Sequence, residues 1–223
     1  MFALASAVQS VLTMLQLVLG LVMVPYEGQP IDPLSPEKGY VCQDPTWVKK
    51  PQLKGGATYL TSMSSECVVY PQLGGDLEKL QAFSIEQLKQ RARIDRGPVD
   101  TTFEGLPSKY LEVTAIVKGK DTVTVTQDVN LATDKTSRMI SSSVSKKIVG
   151  TGYGQYLKKI DTRSELSKTA DPAADRVVIT FYAEVDKPWF APADFFVSEA
   201  EKRVPGEFAK VRNQVLSEMS KNY

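Results

Sequence analysis

The chain has 223 residues, 42% of them hydrophobic and 24% charged, which suits one domain with a substantial core and excludes fibrous, collagen-like and wholly disordered readings. Lys+Arg 27 against Asp+Glu 26 leaves a formal net charge of +1, so no global field draws in a phosphate backbone, and nucleic acid is set aside as a partner. The absence of any histidine removes Ser-His-Asp and Cys-His catalysis, His-ligated zinc and imidazole acid-base chemistry together.

Residues 1–26 carry no charge, and Val11 to Val24 is almost continuously apolar before Pro25 stops it. Such a segment is expected to be an export signal or a membrane anchor. A cleaved signal needs a basic start and a small-x-small site after the apolar core, yet no Lys or Arg precedes this core and Ala5-Ser6-Ala7 lies on its wrong side. Three readings stay open: an uncleaved anchor of the ~20 residues that span a bilayer, a signal whose start is misplaced, and a buried helix of the fold. The first two make the protein exported, either periplasmic or anchored and facing the periplasm. Cys42 and Cys67, 25 positions apart, are the two cysteines of the chain, and in an exported protein they are most simply one disulfide, with two free thiols as the alternative. Neither CxxC redox spacing nor a zinc-ligand set is present, so no metal and no cofactor is expected.

Prolines 30, 33, 36, 45 and 51, following Pro25, make residues 27–56 an extended Pro-rich linker or arm, its second half able to pack against the body through Trp47 and Cys42. The domain proper is drawn as residues 57–223. Ala57 to Tyr70 reads as one or two strands, ended by Pro71 and the Gly74-Gly75 turn. Asp76 is the expected N-cap of a helical block, either one broken helix or two short ones with Ser84 and Gln87 as a second capping box, with Leu77, Leu80 and Leu88 on one face and Gly97-Pro98 as its close. Leu111, Val113, Ala115 and Val117 alternate with polar neighbours, as do Val123, Val125, Val129 and Leu131, which predicts a hairpin with one buried face. Further strands are expected at 138–149, 155–166 and, most clearly, 176–186, in an antiparallel meander. After Pro188 the period becomes helical: Phe195, Ala200, Val204, Phe208, Val211, Val215 and Met219 form one apolar stripe, with Pro205 expected to kink or restart the helix.

That order, strand, helical block, meander and long last helix, looks like the helix-grip α+β fold, a curved antiparallel sheet wrapped around a C-terminal helix. Lys187-Pro188-Trp189-Phe190-Ala191-Pro192 after the strongest strand, then Phe195-Phe196, Val204-Pro205, Phe208 and Val211-Arg212, sharpen the likeness. They resemble the final strand, Pro-containing turn and Pro-interrupted helix of bacterial START-like proteins, the superfamily of polyketide cyclases and Bet v 1 relatives. The likeness covers roughly residues 57 to 221. Lys187-Pro188-Trp189 departs from the Pro-Gly pair common before the last helix, and the Pro-rich arm is not part of that fold.

The resemblance implies a cavity between helix and sheet that encloses lipids, sterols, polyketides or other apolar ligands, and a concave apolar volume is also where physics places a small-molecule site. Val113, Ala115, Val125, Phe181, Ala183, Phe196 and Val204 are the candidate lining residues, with Tyr153 and Tyr156 as polar-tipped aromatics. The expected function is sequestration of a hydrophobic ligand, with lipid as the leading class, without catalysis. The alternatives are a cyclase- or hydrolase-like enzyme in the same cavity and an envelope interaction protein with a filled core. Gly150-Thr151-Gly152-Tyr153-Gly154 lacks the Lys-Ser/Thr of a phosphate loop and reads as a bend or bulge. Lys89, Arg91, Arg93 and Arg96 read as a solvated helix end, and Glu104, Glu112, Asp128 and Glu184 as outward strand carboxylates.

Overall fold

The computed structural model describes residues 39–56, 58–118, 122–187 and 192–223, with the side chains of 117, 118 and 153 left aside. Its elements are β1 (Tyr40–Cys42), β2 (Thr46–Lys54), β3 (Thr58–Val69), α1 (Leu77–Arg91), β4 (Arg93–Phe103), β5 (Leu106–Lys118), β6 (Thr122–Thr133), β7 (Arg138–Gly150), a 3-10 turn (Gly152–Tyr156), β8 (Leu157–Lys168), β9 (Asp175–Asp186) and α2 (Ala193–Asn222). Among the described residues nine strands form one antiparallel sheet in the order β1-β3-β9-β8-β7-β6-β5-β4, with β2 paired to β3 beside β1. Period-two burial drives this arrangement, as in β6, where Val123, Val125, Val129 and Leu131 are buried and the intervening threonines are not. The long C-terminal helix lies in the grip of that sheet, a helix-grip α+β architecture.

The apolar segment at residues 1–26 lies outside the described residues. Among those described, no helix is long and apolar enough to cross a membrane. The stretch from Tyr40 onward, read from its prolines as an arm, is extended but bonded into the sheet as β1 and β2, so a boundary at residue 57 would divide two paired strands, β2 and β3. Proline lacks only its own N–H, and an edge strand tolerates that; Pro51 is buried within β2. Cys42 and Cys67 sit directly opposite in the β1–β3 register and form a disulfide. This bond ties a three-residue edge strand to the body. Replacing both cysteines by serine should cost about 3 kcal/mol, from the 25-residue separation in the chain-entropy account. Equilibrium unfolding with and without reductant checks it: reductant should lower the stability of the parent protein and leave the double variant unchanged.

Asp76 caps α1 as expected, its Oδ1 accepting from the backbone N–H groups of Glu78 (3.0 Å) and Lys79 (3.1 Å). The helix is single and ends at Arg91, and β4 begins almost at once. Gly97-Pro98 therefore does not close a helical block; it lies inside β4, between register shifts against β5. Gly97 has φ +95°, and a Cβ there would stand 2.3 Å from the Tyr110 carbonyl oxygen, so the bulge accepts only glycine. The basic run is internally paired rather than merely solvated, Lys89 with Glu86, Arg91 with Glu218 and Arg93 with Asp95. Gly150 ends β7 and the glycines after it enter the 3-10 turn, in keeping with a bend.

Helix α2 runs through Pro205 without restarting, although the proline removes one backbone donor. Its buried face is Phe196, Ala200, Val204, Phe208, Val211, Arg212, Asn213, Leu216 and Ser220. Phe195, placed on that face from the sequence, is instead 39% exposed while Phe196 is buried. Arg212 is 3% exposed, and among the described residues no carboxylate lies within ion-pair distance of it. It donates to the Gln43 carbonyl (2.8 Å), to Ser65 Oγ (2.6 Å) and twice to Asn213 Oδ1 (2.9 and 2.8 Å). Burial pushes its guanidinium down from the usual range, partly offset by Tyr40 and Asp44. One cation thereby links the helix to residues flanking both halves of the disulfide. At the far end of α2, the buried Tyr223 donates through its hydroxyl to Asp175 Oδ2 (2.8 Å), which also pairs with Lys168 (3.0 Å).

Candidate functional site

A cavity of about 90 Å³ lies between α1, the last turns of α2 and the concave face of β6–β9. Its floor follows from strand register. Leu131, Ser141, Ser164 and Ile179 form one cross-strand row through β6, β7, β8 and β9, and Met139, Leu166 and Val177 form the next. Val129 completes the floor. The roof comes from two helices: Leu80, Phe83, Ser84, Gln87 and Leu88 of α1, and Val215, Leu216, Glu218 and Met219 of α2.

On the other side of the first row lies Phe181, in register with Thr162 and, through it, with Ser143. Phe181 packs on Phe208 of α2 with ring centroids 5.2 Å apart, and this pair fills the space that the first half of the helix covers. Further toward the start of α2, Phe196 stacks on Tyr59 at 4.3 Å. The open volume therefore begins only past Phe208, where Val215 and Met219, smaller or more pliant, replace aromatic rings on the helix.

The residues expected to line a cavity are placed elsewhere. Val113, Ala115, Val125, Phe181, Ala183, Phe196 and Val204 are all buried in the hydrophobic core, and none of them is on the cavity wall. Tyr156 packs partly buried against that core, and the Tyr153 side chain lies outside the described residues. The expectation chose inward residues by alternation, and alternation does not separate a cavity wall from packed core. Two residues of the predicted helical stripe, Val215 and Met219, do line the cavity, and so does Ile179 from the predicted strand. What sequence reading missed are Ser141 and Ser164, whose only signal was a serine at an inward position of an alternating strand.

Polar groups in the wall are few. Ser84 donates to the Leu80 carbonyl at 2.9 Å within α1. Glu218, the one ionisable lining residue, accepts from Arg91 at 3.0 Å, an ion pair that joins the two roof helices beside the cavity, with the arginine side chain 12% exposed. Among the described residues no group of three or more Cys, Asp or Glu side chains is arranged to hold a metal.

No family model matches the chain. No curated protein matches it. Among solved structures, the chain is similar to a START superfamily protein from Mycobacterium smegmatis, with 14% identity, TM-score 0.38, and 72% of this chain and 98% of that one covered. It is similar to the Zhui aromatase/cyclase from Streptomyces sp. R1128, with 11% identity, TM-score 0.42 and coverages of 73% and 94%. It is also similar to human StAR-related lipid transfer protein 5, with 10% identity, TM-score 0.41 and coverages of 96% and 98%. Strand order and the placement of the last helix against the curved sheet make the fold of this chain an α+β helix-grip fold.

Proposed function

We propose that the chain binds a hydrophobic ligand in the cavity between its two helices and the sheet, and holds it without chemical change. The observation that carries this reading is the cavity itself, a mainly apolar volume between the two helices and the sheet. Burial of apolar ligand surface there supplies about 25 cal/mol per Å². Its size supports a small molecule or the end of one chain. An engineered apolar cavity of roughly 150 Å³ is enough for benzene, so about 90 Å³ takes a ring or a longer chain, the probes named below included, only when the roof helices move apart, and that opening is part of the proposal. The Arg91–Glu218 pair favours binding over an enzymatic role, since the one carboxylate in the wall is already engaged. We also propose that the protein works outside the cytoplasm, tethered or exported; the uncharged apolar segment at residues 1–26 and the Cys42–Cys67 disulfide support this.

The test is native mass spectrometry and solvent extraction of the full chain purified from an exporting host, paired with titration of the uncharged dye N-phenyl-1-naphthylamine. A co-purifying apolar molecule, or saturable dye fluorescence abolished by filling the cavity with Val215→Phe, is the expected result. A clean apo mass with no saturable dye binding would move the function to the surface of the molecule.

A further inference from the structure

Serine is a poor choice for the inward face of a strand, where β-branched and aromatic residues pack best. Yet Ser141 and Ser164 stand directly opposite each other in β7 and β8, in the middle of an otherwise apolar cavity floor. Opposite residues of an antiparallel pair have Cβ atoms about 5 Å apart, close enough for both hydroxyls to reach one ligand atom. Neither hydroxyl is hydrogen-bonded to another described residue, nor is the Gln87 amide that lines the roof. Ser143, two residues along β7 and 1% exposed, also has a buried hydroxyl without a partner. Ser143 lies behind the cavity wall, whereas Ser141, Ser164 and Gln87 are half-buried on it, so their donors and acceptors are open to whatever fills the cavity.

The charge of the wall narrows that ligand further. No Lys or Arg is among the lining residues, and the Glu218 carboxylate is neutralised by Arg91 rather than left to meet a ligand cation. A carboxylate head brought here would be desolvated beside Glu218 with no cation to receive it, and an ammonium head would have to compete with Arg91. Burial of an unpaired charge is far costlier than burial of a hydrogen-bonded hydroxyl. Resting on the binding function proposed above, we infer that the ligand is an uncharged amphiphile: a short or narrow apolar body bearing one neutral hydrogen-bonding head, such as an alcohol or phenol, with the head on Ser141 and Ser164 under Gln87.

Displacement of N-phenyl-1-naphthylamine from the full chain by 1-octanol, octanoate and octylammonium tests this, because the three share one chain and differ in the head. Octanol should displace the dye at a concentration at least tenfold lower than either ion at pH 7. A double Ser141→Ala, Ser164→Ala variant should still bind the dye but need about tenfold more octanol, and Gln87→Leu should shift octanol in the same direction. Octanoate or octylammonium displacing as well as octanol would overturn the neutral-head assignment while leaving the cavity as a binding site. Unchanged octanol displacement in the serine variant would overturn the head's location. Absence of saturable dye binding in the parent protein would overturn the binding function as well. If the serine variant fails to fold, the ligand series on the parent protein still decides the charge of the head.

Discussion

An Asn213→Leu variant should lose about 3–5 kcal/mol of stability, because it strips two hydrogen bonds from a guanidinium that remains buried. Arg212 is held by neutral acceptors rather than a carboxylate, so each acceptor carries an unusually large share of its solvation. Removing the charge instead, with Arg212→Met, leaves only neutral groups unpaired and should cost less, about 1–3 kcal/mol. The double variant should therefore be more stable than Asn213→Leu alone. Urea unfolding of the three variants measures the order directly. If Asn213→Leu were the mildest of the three, the amide would not be what keeps the cation buried.

Truncating Phe208 to alanine should cost about 3–5 kcal/mol, the range for deleting a buried aromatic ring. Phe208 is 1% exposed and packs against Phe181, where helix and sheet meet just short of the cavity. For a chain of this size that loss corresponds to a fall of about 6–20 °C in Tm, read by thermal unfolding. Val215→Phe, which fills space at the cavity wall, should change Tm far less. Equal losses at the two positions would mean that the volume near Val215 is as tightly packed as the core around Phe208.

These two expectations mark the difference between wall and core that the linear pattern does not carry. Phe181 and Ile179 are both inward residues of the same alternating strand. One meets a phenyl ring of α2 and closes the space, and the other faces the smaller Val215 and Met219 region and leaves it open. Which of the two happens depends on what stands opposite across the layer, and that partner is more than twenty residues away in the chain. Phe195 and Phe196 make the same point on the helix: they are adjacent phenylalanines, and stacking on Tyr59 of β3 selects Phe196 for the buried face.

Local chemistry, by contrast, was legible residue by residue. Asp76 announced a helix start because its side chain can satisfy N–H groups two and three positions on. Alternation from Leu111 to Leu131 announced a hairpin because a strand's two faces meet different solvents. The meander and the last helix followed from the same two periods, and the pairing of Cys42 with Cys67 from their being the two cysteines of the chain. Gly97-Pro98 misled because both residues break helices and strands alike, and only the close approach of the Tyr110 carbonyl explains why a bulged strand needs them.

By itself, then, the amino-acid order determined the period of each segment, the helix cap, the disulfide partners and the helix-grip order of elements, all of which are set within a few residues or by scarcity of alternatives. The tertiary structure alone decided that residues 40–54 belong to the sheet, that Arg212 is buried against neutral acceptors, and that the open volume lies past Phe208 over Ser141 and Ser164. Those are properties of which surfaces oppose each other across a packed interior, and the volume left between two surfaces depends on both.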